Sequence, residues 1–140
     1  LILTNPCVCP KLELPKKVIS ILDNFPDAMT KLRIPLIYNA YDLTHDDDKA
    51  IEFMHDHLIS KSITLRLGLE TIEAARSITS LSYFMQYPCL FVLSGDDKVV
   101  NNDATELFIA GMDKAKAEVN FYDQMKHDIL NESCRNDVFR

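Results

Sequence analysis

Glycine is scarce in this sequence, and its scarcity removes one common catalytic device. The 140 residues contain three glycines, at positions 68, 95 and 111, and no Gly-x-Ser-x-Gly occurs anywhere. That motif forms the strained turn between a strand and a helix that presents a nucleophilic serine. A nucleophile elbow therefore cannot be built from this chain, which limits the chemistry that its other residues can complete.

Basic clusters and long apolar runs are also missing. The net charge is −6 at pH 7 without a cluster of lysine and arginine, which argues against nucleic acid as a partner. No apolar run approaches the roughly 20 residues that span a bilayer. The start LILTNP has neither a methionine nor the basic region of a signal peptide. We expect a cytoplasmic protein, and the start of the chain resembles the interior of a longer sequence.

Few residues suggest a metal or a disulfide. Cys7 and Cys9 lack the spacing of the common structural zinc pairs, and Cys89 lies in an apolar run where a thiol behaves as a small apolar side chain. His55 and His57 are two residues apart, so on a helix they point to nearly opposite faces. We expect four reduced cysteines, no metal site and no cofactor.

An acid-rich turn precedes one predicted helix. Asp46, Asp47 and Asp48 are consecutive, so their side chains diverge, and no glycine-containing ligand loop surrounds them. We interpret them as a helix N-terminus, where the helix dipole favours negative charge, with Thr44 or Asp46 as the N-cap. His45, in the same turn, is predicted to be a surface or capping residue.

Three apolar runs predict the strands of a parallel sheet. Residues 89–93 form an unbroken apolar run between Pro88 and Gly95, which is typical of a strand buried on both faces. Residues 1–3 and 117–122 have similar character. With helices predicted between the strands, the pattern indicates an α/β fold.

Helices with loops are predicted from residue 10 to residue 86, as an insertion between two strands of one sheet. Apolar spacing favours helices over residues 15–25, 46–58 and 61–75, and Pro35 with a short apolar run favours an extended loop over residues 32–39. The last of these helices begins with a strand-like alternation and takes helical spacing from Leu65. Further helices are predicted at 104–110, capped by Asn102 or Asp103 and closed by Gly111, and from about residue 129.

Two acids and a histidine follow neighbouring strands of the predicted sheet. Asp96 and Asp97 come directly after residues 89–93, and His127 follows residues 117–122 after a short loop. Ligands and catalytic groups gather outside the carboxyl ends of parallel strands. An acid after one strand and a histidine after the next is the layout of the last two members of a Ser-Asp-His triad, and spacing alone allows either acid.

Four segments resemble the monoacylglycerol lipase and lysophospholipase group of α/β-hydrolases, also called the serine aminopeptidase S33 or Hydrolase-4 family. They are LTNP at 3–6, DLTHD at 42–46, PCLFVLSGDDKVV at 88–100 and FYDQMKHDILNE at 121–132. The resemblance covers essentially the whole chain. It matches the C-terminal half of such an enzyme.

The resemblance implies a partial α/β-hydrolase fold in three parts. Residues 1–9 are expected to be a core strand and loop, residues 10–86 an inserted helical cap, and residues 87–140 the C-terminal core. It identifies Asp97 as the triad acid and His127 as the triad base, because Lys98-Val99-Val100 reproduces the pattern that follows the acid. Asp96 is rejected on the same alignment.

The implied function is that of a serine ester hydrolase acting on a small lipid or ester, whose serine lies outside this chain. We expect the chain alone to be inactive, and to aggregate or dimerise through the unprotected edge of residues 1–3. Cap contact with a membrane follows from the resemblance alone. The alternatives are a truncated relative that acts as a binding or interaction module, and a hydrolase for small carboxyl esters or aminoacyl amides.

The cap helices have two interpretations. The helix from Leu65 to Ala75 is apolar on several faces, which favours core packing, with the lining of an acyl channel as the alternative. Phe53 and Met54 are likewise interpreted as packing residues.

Overall fold

A computed structural model describes residues 1–11, 31–36 and 39–140. The helix predicted over residues 15–25 lies outside the described residues. The described strands and helices are β1 (Ile2–Thr4), β2 (Arg33–Pro35), α1 (Asp47–His55), β3 (Ser62–Thr64), α2 (Leu65–Ile78), β4 (Cys89–Ser94), α3 (Asn102–Ala110) and β5 (Ala117–Tyr122). Short 3₁₀ turns lie at Ala40–Asp42, Thr79–Phe84, Ile129–Asn131 and Arg135–Asp137.

The three predicted strands form one parallel sheet in the order β1-β4-β5. Phe91 in the central strand lies beside Leu3 of β1 and Val119 of β5. This confirms an α/β fold. Among the described residues no strand pairs with the outer edge of β1, where Leu1 and Ile2 are exposed. Association through that edge stays a prediction.

Strand β4 is apolar from Cys89 to Leu93, and both of its faces are covered. On one face Cys89, Phe91 and Leu93 pack with Phe108 of α3, and the Phe91 and Phe108 rings meet edge to face with centroids 6.4 Å apart. On the other face Val92 packs with side chains from the chain after β5, namely Met125 and Ile129. Alternating side chains thus enter two separate cores. The arrangement fixes the position of the strand's carboxyl end.

The extended loop predicted over residues 32–39 is wrong for Arg33–Pro35. These residues form β2, which pairs antiparallel with β3, where Ile34 lies beside Ile63. The helix predicted over residues 61–75 begins at Leu65, after the three strand residues of β3, and Thr64 caps it by accepting from the backbone N–H of Leu67. The alternation at Ser62–Thr64 therefore marked a real strand, whose partner is about 30 residues away in the sequence.

The predicted caps are correct at α1 and displaced at α3. Asp46 caps α1 by accepting from the backbone N–H of Lys49 at 3.1 Å. The N-cap of α3 is Asn101, whose side chain accepts from the backbone N–H of Ala104, while the Asn102 side chain donates to the Ser94 carbonyl at 2.7 Å. Gly111 closes α3 as predicted, and a side chain there would collide with the Ser82 hydroxyl.

The helix predicted from residue 129 is wrong. The chain forms two 3₁₀ turns there, and the first ends at Glu132, whose backbone is extended (φ −70°, ψ 155°). The side chain of Glu132 turns inwards to accept hydrogen bonds from backbone N–H groups, which interrupts helical geometry. Of the helices that the structure describes, the longest is α2 with 14 residues, and none is suited to crossing a membrane.

Candidate active site

The loops that follow β4 and β5 are joined at the carboxyl edge of the sheet. The backbone N–H of Gly95 donates to the Tyr122 carbonyl, and that of Asp96 to the Met125 carbonyl, each at 3.0 Å. A side chain at position 95 would collide with the Asp123 backbone, so only glycine fits this approach. The two loops are therefore held at a fixed separation.

This junction brings Asp97 and His127 together and leaves Asp96 outside. His127 Nδ1 lies 2.8 Å from Asp97 Oδ2, while Asp97 Oδ1 accepts from the backbone N–H groups of Val99 at 2.7 Å and Val100 at 2.9 Å. Asp97 is 1% exposed, whereas Asp96 is exposed to solvent. Spacing left the choice between Asp96 and Asp97 open, and in the structure it is Asp97 that is buried and contacts His127.

Hydrogen bonds stabilise the ionised form of Asp97 in spite of its burial. Burial alone would raise the pKa of this carboxyl, but the hydrogen bonds from His127, Val100 and Val99 outweigh it and hold the pKa below its ordinary value. A carboxylate facing Nδ1 assigns the Nδ1 proton to that side of the ring. Nε2 of His127 is then left free to act as a base, and the side chain is 26% exposed.

Asn5 fixes the pair from the side of β1, and the sequence analysis missed it. Its side chain donates to the His127 carbonyl at 2.6 Å and accepts from the backbone N–H of Ser94 at 2.8 Å. Asn5 is buried and has a positive φ of 38°, a backbone region that asparagine tolerates better than most residues. Its position directly after strand β1 of the parallel sheet was the signal available in the sequence.

His127 lines a cleft of about 350 Å³ whose walls contain both apolar and polar side chains. Its lining residues are Thr4, Leu43, Phe53, Val99, His127 and Asp128. A second cavity of about 270 Å³ shares Leu43, Phe53 and Asp128 with it and adds charged side chains, among them Lys49 and Glu52. Phe53, interpreted from sequence as a packing residue, therefore borders the cleft. The arrangement can hold a ligand with apolar and polar parts beside a base.

Helix α2 lines neither of these two clefts. In the described chain Ala75 is its one buried residue, and Leu67 is exposed. Leu65, Leu69 and Ile72 are half-buried beside Ala75, so the expected apolar face packs in part, and the helix has no place beside His127 in the two clefts.

His45, His55 and His57 do not line the cleft beside His127. His45 contacts the buried Glu132, with Nδ1 2.9 Å from Oε1, so its interpretation as a surface or capping residue is incomplete. His55 and His57 are exposed, and His55 Nδ1 lies 2.8 Å from the Ile51 carbonyl. Within residues 1–11, 31–36 and 39–140, no three histidine, cysteine or acidic side chains are grouped as a metal site requires. The four cysteines are free thiols.

The parallel sheet, with an acid after its central strand and a histidine after the next, defines a partial α/β-hydrolase fold. Solved structures share it. A monoacylglycerol lipase from Paleococcus ferrophilus superposes with a TM-score of 0.86 at 12% identity over 99% of this chain and 54% of that one. A soluble variant of monoglyceride lipase from Saccharomyces cerevisiae, in complex with a substrate analogue, gives 0.77 at 18% identity over 99% and 49%.

The chain belongs to the serine aminopeptidase S33 family, which matches residues 1–134. Among curated relatives, the uncharacterised protein YnbC of Escherichia coli K12 is 27% identical over 93 residues, which are 66% of this chain and 16% of that protein. The chain spans about half the length of the solved structures that it matches.

Proposed function

We propose that this chain supplies the acid and the base of a serine ester hydrolase whose nucleophile lies outside the residues printed here. The observation that carries the proposal is the 2.8 Å contact between His127 Nδ1 and the buried carboxylate of Asp97, at the carboxyl edge of the sheet and beside a cleft. Asp97 is the triad acid and His127 the general base in this assignment.

In the proposed reaction, Nε2 of His127 takes the proton of the serine hydroxyl as the serine oxygen attacks the ester carbonyl carbon. The imidazolium returns that proton to the alcohol oxygen as the carbon–oxygen bond breaks, which leaves an acyl-serine. Water then repeats the two steps, releasing the carboxylic acid and restoring the serine. Asp97 remains ionised throughout and stabilises the imidazolium, a role that suits its lowered pKa.

The proposed substrate is a monoacylglycerol, a lysophospholipid or a similar small ester. Two observations support this class: the cleft beside His127 combines Leu43, Phe53 and Val99 with polar side chains, and one structural neighbour is a monoglyceride lipase in complex with a substrate analogue. A site with apolar walls and few polar groups is typical for ligands of this kind.

We further propose that residues 10–86 form a cap over a core made by residues 1–9 and 87–140. Leu43 and Phe53 belong to the stretch of sequence between β1 and β4, and both line the cleft beside His127, which supports this division. Leu58, Tyr83 and Phe84 are exposed in the same segment, which supports peripheral contact of the cap with a membrane.

A serine-directed fluorophosphonate tests the proposal on the full-length protein that carries this chain. We expect covalent labelling of one serine and hydrolysis of a monoacylglycerol, with both lost when His127 is replaced by alanine. The proposal would be overturned if the full-length protein without substitutions neither reacted with the fluorophosphonate nor hydrolysed monoacylglycerols, short-chain esters or aminoacyl amides. The binding-module hypothesis would then take its place.

A further inference from the structure

A second buried carboxylate, that of Glu132, contacts the backbone of the residue before His127. Glu132 is 0% exposed, and four hydrogen-bond donors surround it. Its Oε1 accepts from the backbone N–H of Lys126 at 2.7 Å and lies 2.9 Å from His45 Nδ1. Its Oε2 accepts from the backbone N–H groups of His45 at 3.0 Å and Ser133 at 3.2 Å.

The donors to Glu132 come from two distant parts of the chain. Lys126 is the residue before His127, and His45 lies 87 residues from Glu132 in the turn that opens α1. Thr44, beside His45, strengthens the same junction, because its hydroxyl donates to the Asn131 carbonyl at 2.8 Å. Glu132 therefore joins the start of α1 to the backbone that carries His127.

Only an ionised carboxylate satisfies this arrangement. Each of its oxygens receives two donors, and three of the four donors are backbone N–H groups, which every residue except proline carries. A glutamine would place an NH₂ group against N–H donors and leave buried donors without an acceptor, which is unfavourable. Burial alone would raise the pKa of Glu132, but the hydrogen bonds from Lys126 and His45 hold it below its ordinary value.

We propose that Glu132 is a positioning residue for His127. By holding the backbone of Lys126 against the turn that opens α1, it sets the position of the imidazole relative to Asp97 and to the cleft. The inference rests on the proposed function for its catalytic consequence. The geometry that it describes, a fixed Lys126 backbone and a fixed imidazole, exists whether or not the protein is a hydrolase.

Glu132→Gln in the full-length protein is the test, with Glu106→Gln as its matched control. Glu106 is an exposed residue of α3, so its substitution makes the same chemical change away from the His127 loop. The first measurement is the downfield proton NMR signal of the His127 Nδ1–H, assigned by its disappearance in His127→Ala. We expect Glu132→Gln to broaden or abolish this signal and Glu106→Gln to retain it. Glu132→Asp, which keeps the charge, should restore part of it.

The second measurement separates kcat from KM. Because an error of about 1 Å in a catalytic group costs on the order of 100-fold in rate, we expect kcat to fall 10- to 100-fold in Glu132→Gln with KM nearly unchanged. Loss of the signal in a protein without esterase activity would refute the proposed function and still support the positioning role. Retention of both the signal and kcat in folded Glu132→Gln would overturn the inference.

A milder variant keeps the inference testable if Glu132→Gln does not fold. His45→Ala removes one of the four donors and leaves the other three in place. We expect kcat to fall about 3- to 10-fold and the Nδ1–H signal to broaden, while circular dichroism shows a folded protein. A His45→Ala protein that matches Glu106→Gln in both measurements would overturn the positioning role.

Discussion

Two buried carboxylates, Asp97 and Glu132, each contact one histidine through Nδ1, at 2.8 and 2.9 Å respectively. Both are nearly inaccessible to solvent, and hydrogen bonds lower the pKa of both in spite of their burial. They differ in what the histidine faces. His127 lines the cleft, whereas His45 lines neither of the two clefts beside it and its side chain is 44% exposed.

The comparison shows that a buried acid and a histidine in contact do not by themselves define a catalytic pair. Asp97 gives one oxygen to His127 and the other to two backbone N–H groups that follow it in the chain, so its contacts fix the ring. Glu132 accepts from three backbone N–H groups of two separate segments, so its contacts fix the chain. The predictions below separate these roles.

Replacing each histidine by alanine gives the largest contrast. In His127→Ala we expect ester hydrolysis by the full-length protein to fall about 10⁴-fold, because the base of the proposed triad is lost. His45→Ala should lower it only 3- to 10-fold. Steady-state kinetics on a monoacylglycerol measures both, with Asp96→Asn as a control that leaves Asp97 intact. Equal losses in the two alanine variants would contradict the distinction between the pairs.

Asn5 supports the first pair and has no counterpart in the second, so its replacement sharpens the comparison. Asn5→Ala leaves the Ser94 N–H and the His127 carbonyl without their partners and keeps the positive φ. We expect a loss of about 2–3 kcal/mol in the free energy of unfolding, measured in urea. Asn5→Gly loses the same bonds without backbone strain and should be about 1 kcal/mol less damaging. Identical losses would mean that the strain is negligible.

The sequence predicted the three parallel strands and the placement of Asp97 and His127 at their carboxyl ends, because both have local signals. An unbroken apolar run marked β4, and a short loop placed His127 near Asp97. Features that depend on distant partners were missed. The pairing of Arg33–Pro35 with Ser62–Thr64 and the burial of Glu132 both require contacts with residues far away in the chain. Nothing near Glu132 distinguishes it from an exposed glutamate.

Lowering the pH tests the feature that the two pairs share, which is a buried carboxyl group with a lowered pKa. Because the pKa of Asp97 and that of Glu132 are lowered in the folded state, each carboxylate contributes stability above its unfolded pKa of about 4. That contribution is lost as the pH falls through the folded pKa. The free energy of unfolding should therefore begin to drop as the pH approaches about 4 and continue to drop below it, by less in Asp97→Asn and in Glu132→Gln. Urea titrations at several pH values measure this, and equal slopes in all three proteins would contradict it.

The smallest effect concerns the Lys126 side chain, which tests whether the backbone alone carries the link between the two pairs. Its Nζ donates to the Tyr41 carbonyl at 2.6 Å and to the Thr44 carbonyl at 3.3 Å, while its backbone N–H binds Glu132. Lys126→Met keeps the backbone bond and removes the other two. We expect a loss of about 1 kcal/mol in stability and a change in kcat of less than about threefold.

Lys98→Met is the control for Lys126→Met, because its one 3.4 Å contact with Asp42 is exposed and should contribute about 0–1 kcal/mol. If Lys126→Met lowered kcat as strongly as Glu132→Gln, the lysine side chain would be the group that holds His127. The carboxylate of Glu132 would then act on stability alone. If kcat is retained, the bond from the Lys126 backbone to Glu132 is sufficient to keep the imidazole in place.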